Sequence, residues 1–149
     1  MKDRINPTGV VEFTHHYEDG STETLTVNNL VVLQGRERLA KLLGGDETDP
    51  VQFFRIGTGN TAVTAEQTAL QTQVNILPGQ NQKAVDSVTY PADHQVRFNF
   101  SLLSNEGNGN SLSEFALYTA DGLMFARVVR PPFTKTNAAA ITGTWTINF

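Results

Sequence analysis

Apolar and polar side chains alternate along most of this chain, and the alternation sorts it into short strands. Val11, Phe13, His15 and Tyr17 alternate with Glu12, Thr14 and His16, and after Glu18-Asp19-Gly20-Ser21 the pattern resumes at Leu25 and Val27. This predicts a hairpin turning at Asp19-Gly20, where glycine supplies the positive φ that a tight turn requires. The period then changes. Between about residues 31 and 43, Val32, Leu39, Leu42 and Leu43 recur at helical spacing while Arg36, Glu37, Arg38 and Lys41 fill the other face, so the segment reads as one amphipathic helix of about three turns. Asn28 or Asn29 is placed to accept from the free first-turn amides, and Gly44-Gly45 supplies a left-handed stop.

Beyond the helix the two-residue period returns. Phe53 to Ile56 runs into Gly57-Thr58-Gly59, a strand ending at a tight turn, and Thr64 to Leu70 is expected to form one helical turn capped by Thr64. Val74 to Leu77 and Val85 to Val88 read as strands separated by the polar Pro78-Gly79-Gln80-Asn81-Gln82. Val96, Phe98, Phe100 and Leu102 alternate with Arg97, Asn99 and Ser101, so one face of that strand must be buried. Asn105 to Asn110 is a loop by composition. Leu112 to Tyr118 and Leu123 to Val129 flank a second hairpin turn at Asp121-Gly122, the latter strand stopping at Pro131-Pro132 because proline cannot donate to a ladder. The last strand sets Trp145, Ile147 and Phe149 against Thr144, Thr146 and Asn148. Seven to nine short strands and one helix predict a mainly β fold: an antiparallel β-sandwich with a single amphipathic α-helix at about residues 31–43.

Length and composition narrow the picture. The 149 residues suit one domain spanning 1–149, with residues 1–9 as a candidate extended N-terminal arm. Eleven basic against fifteen acidic side chains leave a net charge of -4 with no cationic run, which argues against nucleic acid as a partner. With no cysteine there is neither a disulfide framework nor a thiolate site, so the fold rests on packing and suits a reducing cytoplasm. Met1 to Pro7 lacks the apolar run of a signal peptide, and no apolar stretch is long enough for a membrane helix, so no membrane insertion is expected.

Candidate chemistry is sparse, and neither a catalytic residue nor a metal or cofactor site is assigned. His15 and His16 project to opposite faces of one strand and His94 sits near a turn, a spacing that does not make a ligand set; His15 reads as partly buried with one hydrogen bond, and His16 as solvent-facing. Gly57-Thr58-Gly59-Asn60 has no following Lys-Ser/Thr and reads as a turn rather than a phosphate loop. Ser104, Ser111 and Ser113 lack the context that would activate a nucleophile. Asp46, Glu47 and Asp49 cluster between Gly45 and Pro50, where a cation has room, but a solvated loop is the expected reading. Arg127, Arg130, Pro131, Pro132 and Phe133 group cations, prolines and an aromatic at a strand end and form the candidate interface, with Arg and Phe as anchors. The C-terminal alternation ending on Phe149 superficially matches an outer-membrane barrel, but the intervening charged helix excludes that architecture.

The order of these signals carries a resemblance. Asn29-Leu30-Val31-Val32 precedes Gly35 to Leu43; Ile56-Gly57-Thr58-Gly59 precedes Thr61 and Thr64 to Leu70; Ser113 to Tyr118 precedes the Asp121-Gly122 turn, Phe125-Ala126-Arg127, Pro132 to Thr136, and Thr144 to Ile147. Over about residues 24–149 this resembles a group of small structural proteins of tailed bacteriophages, the tail, collar, fibre or baseplate components. The resemblance implies a virion subunit made in the host bacterial cytoplasm. It would be a homo-oligomer, three- or six-fold symmetry favoured, and would contact other virion proteins, with no catalytic residues and no cofactors. Sheet edges that would otherwise aggregate become interfaces in such an assembly. Two other readings compete: a capsid decoration protein, or a carbohydrate- or receptor-binding tip module stacking ligands on Trp145, Tyr90, Tyr118 or Phe133. The inward alternation of Trp145 counts against the tip module.

Overall fold

The structure, a computed structural model, describes residues 7–149. Its strands are β1 (Thr8–Tyr17), β2 (Thr22–Val31), β3 (Val51–Gly57), β4 (Gln73–Val74), β5 (Lys83–Ala84), β6 (Ser87–Thr89), β7 (Gln95–Leu102), β8 (Ser111–Thr119), β9 (Met124–Thr134) and β10 (Ala139–Asn148), with one helix, α1 (Leu33–Gly44), between β2 and β3. The fold is therefore mainly β, every pairing between these strands is antiparallel, and α1 is the single helix among the described residues.

The strands follow one hydrogen-bonded path, β4-β3-β8-β9-β2-β1-β10-β7-β6, with β5 pairing β3 off that path. Two stacked sheets would have separate ladders; here β2 belongs to both halves. Its residues from Thr22 to Asn29 pair with β1, and Leu30 and Val31 cross to Arg127 and Ala126 of β9. The sheet curls there, and the inner faces of its halves close on one core. Phe13 of β1, Phe100 of β7 and Phe115 of β8 meet edge-on or tilted, with Phe54, Trp145 and Ile147 fully buried around them. The alternations at Val11–His15 and Phe98–Leu102 point these side chains inward, as the two-residue period requires.

Strand β8 departs from alternation: all its residues from Leu112 to Thr119 are buried. Phe115 and Leu117 face the main core, whereas Ala116 and Tyr118 belong to a second cluster with Val32, Leu70 and Met124. The outer face of β8 is thus covered as well, by the loop that follows β3.

Several local expectations change in three dimensions. Asn28 and Asn29 do not cap α1, because they are still paired in β2; Val32 is the N-cap and makes no side-chain capping bond. The Leu33 amide instead donates to the Ala65 carbonyl at 2.7 Å, so the loop after β3 serves the helix start. Gly45 stops the helix at φ 78°, its amide donating to Leu42 and Lys41. Leu43, assigned by spacing to the buried stripe, is 92% exposed, while Arg38, assigned to the polar face, is buried. Thr64 to Leu70 is a turn without a helix.

The strand expected over Val74 to Leu77 is shortened to β4 because the chain turns back at Pro78-Gly79, where Leu77 bridges Gln80; of the one expected over Val85 to Val88, only Ser87 and Val88 are in a strand, β6, while Val85 and Asp86 lie between β5 and β6. β9 does not stop at the prolines. Its register against β8 jumps between Glu114↔Val129 and Leu112↔Phe133, so Pro131 and Pro132 sit in a bulge where no ladder donor is needed. Of the arm expected over residues 1–9, residues 1–6 lie outside the described residues; Thr8 and Gly9 already pair with Asn148 and Ile147 in β1.

Candidate functional site

The motifs that lie far apart in sequence meet on the outer face of β8 and β9. Glu114 and Arg127 project from these neighbouring strands, both side chains fully buried, with Arg127 Nε donating to Glu114 Oε1 at 3.0 Å. The loop after β3 folds over them. The amides of Gly59 (2.9 Å), Gln71 (2.9 Å) and Thr72 (2.7 Å) donate to the Glu114 carboxylate, and Arg127 Nη1 donates to the Thr61 carbonyl (3.0 Å) and Gln67 Oε1 (3.2 Å). Ser113 Oγ donates to the Gly59 carbonyl at 2.7 Å. The Gly57-Thr58-Gly59 signal has its physical reason here: a Cβ at either glycine would collide with Glu114 Oε2 and with the Thr72 carbonyl or Gln71. Ser113, one of the serines weighed as a nucleophile, thus anchors a loop.

The candidate interface residues separate into two kinds. Arg127 has no exposed surface and belongs to this internal clamp, which corrects its expected role as an external anchor. Arg130 is also buried, its guanidinium between the rings of Phe133 (4.2 Å) and Phe13 (4.8 Å), Nε donating to the Pro131 carbonyl and Nη1 to His15 Nε2 at 2.9 Å. Burial first, and the Arg130 charge second, pull the His15 imidazole below its ordinary value, so His15 is the neutral acceptor. Burial pushes the Arg130 guanidinium down to about 10. Of the candidate interface residues, Pro131 and Pro132 are exposed and Phe133 partly so. His16 is exposed, as expected, and lies 2.8 Å from Thr142 Oγ1.

Two polar loops hold their own counter-ions. Carboxylate oxygens of Glu47, Asp49 and Asp121 lie within 4.8 Å of one another, and the cation among them is Arg38: it makes a forked pair with Asp121 at 2.7 and 2.8 Å and reaches Glu47 at 4.0 Å. Asp46 is not part of this group. The hydrogen bonds from Arg38 and Thr119 hold the Asp121 carboxyl well below the usual carboxylate range. The Asn/Gly-rich loop at 105–110 is pinned by two lysines that sequence reasoning did not single out. Lys83 pairs with buried Glu106 at 2.7 Å, and buried Lys135 donates to Ser104, Asn108 and Thr136.

A largely apolar groove of about 360 Å³ lies between α1 and the β6–β7 edge, floored by Leu39, Leu42 and Phe98 and rimmed by Val88, Tyr90 and Phe149. Nothing in the sequence pattern marked it, because its walls come from elements distant in the chain. Trp145 is fully buried and offers no stacking surface. No helix among the described residues is long and apolar enough to cross a membrane. No known protein family, curated protein or solved structure matches the chain.

Proposed function

We propose that the chain is a structural subunit that works by assembling with copies of itself and with partner proteins, as a virion component of the tailed-bacteriophage kind that its motif order resembles. The observation that carries this reading is the fate of its most distinctive residues. Gly57, Gly59, Thr61, Ser113, Glu114 and Arg127 come from three separate motifs, and all are spent on one buried clamp that fixes a loop to a sheet. A protein whose charged motifs are consumed internally offers mainly surface, and surface is what a subunit uses. The Glu47–Asp49–Asp121 group supports the same reading over an acid–base pair, since Asp121 stays ionised beside Arg38 and supplies no proton near neutral pH. Burial of Trp145 weighs against the carbohydrate-binding tip module.

At the β9 corner, Pro131, Pro132 and the exposed part of Phe133 form the contact we assign to a neighbouring subunit, with Arg130 stiffening it from below. The reading is tested by sedimenting the contents of source cells on a density gradient and identifying proteins in the particle fractions by mass spectrometry. The chain is expected to travel with assembled particles. Recovery only in the unassembled fraction, with particles present elsewhere in the gradient, would count against it.

A further inference from the structure

We infer that the groove between α1 and the β6–β7 edge receives an extended segment of a partner protein that carries an aromatic or aliphatic anchor beside lysine or arginine. This deepens the assembly reading and rests on it for the setting.

The first argument is apolar surface. Tyr90 is 75% exposed, Phe149 50% and Val88 41%, and these three stand together around one recess instead of being scattered singly over the molecule. A clustered apolar recess of this kind marks a contact surface, since covering it removes apolar area from water. The second argument is charge. Arg38 and Pro50 line the groove, and the guanidinium of Arg38 meets the carboxylates of Asp121 and, at 4.0 Å, Glu47, with a carboxylate oxygen of Asp49 within 4.8 Å of theirs. Three carboxylates against one guanidinium leave this cluster beside the groove net negative: Asp121 is committed to Arg38 by its forked pair, and Glu47 reaches the same guanidinium only at 4.0 Å. An apolar anchor followed by a cation satisfies both parts, whereas an acidic segment would be repelled. The third argument is the edge itself. Among the described residues β6 pairs only with β7 and ends the strand order, so its outer side is open to an added strand that would lie beside Val88 and Tyr90.

The test uses the full chain, immobilised, and a library of random displayed peptides as the probe. Enriched sequences are expected to combine an aromatic or aliphatic residue with a neighbouring Lys or Arg. A Val88→Ser/Tyr90→Ser variant, changed at exposed positions only, should bind them about tenfold more weakly. A Glu47→Gln/Asp49→Asn variant should retain the apolar preference and lose the cationic one. Enrichment of acidic or wholly polar peptides, no enrichment at all, or binding unaffected by the Val88/Tyr90 variant would overturn the inference. A monomer that never enters particles but selects these peptides would sink the assembly reading and leave the groove standing; an assembling protein that selects none would do the reverse.

Discussion

Glu114 concentrates the energetics of the fold in one side chain. Its carboxylate accepts from three loop amides and from Arg127 with no exposed surface, so taking away its charge leaves a buried guanidinium without its ion pair. Removing one member of a buried pair costs about 3–5 kcal/mol. Glu114→Gln is therefore expected to lose stability on that scale in urea unfolding, and Glu114→Gln/Arg127→Met to lose clearly less than the two single changes added together. A single-mutant loss below about 1 kcal/mol would mean that the clamp is not a principal support of the loop. At this scale the sequence is only half legible. Alternation placed Phe98, Phe100, Trp145 and Ile147 inside correctly, because each depends only on its own strand. Glu114 and Arg127 also alternate outward, and an outward charge reads as solvated. Their burial depends on a loop 42–55 residues before Glu114 and 60–66 before Arg127 closing over them, which no local period records.

The elements are held to one another by polar ties at their ends. α1 is fixed to the β8–β9 hairpin by the forked Arg38–Asp121 pair, with Thr119 Oγ1 as a second donor to Asp121. Since these partners depress the folded carboxyl, the tie contributes fully above the unfolded value of about 4 and is lost as the pH falls toward the lower folded value. Urea midpoints for the native chain should thus fall more steeply between about pH 5 and pH 2 than those of Asp121→Asn; parallel curves would contradict the tie. Both hairpin turns were readable from Asp19-Gly20 and Asp121-Gly122, whose glycines adopt φ 85° and 91°. The helix stop at Gly45 was readable for the same reason. Its start was not, because the first helical amide, that of Leu33, is served by the Ala65 carbonyl and not by a local Asn. The prolines of β9 misled in a different way: a bulge removes the need for a ladder donor, so the strand passes through them.

At the scale of the whole molecule, a sheet that curls at β2 closes one core and leaves two unlike surfaces. Phe125 at the start of β9 and Phe149 just beyond the end of β10 line the apolar groove, while Pro131 to Phe133 lie toward the opposite end of β9. Mainly β class and the single helix were legible from periodicity; the continuous path through β2 was not, since Leu30 and Val31 change partners within one uninterrupted apolar pattern. We propose that this chain assembles with copies of itself. Light scattering of the purified protein across a range of concentrations tests this most directly: a discrete trimer or hexamer is expected, and a strict monomer at every concentration would contradict it.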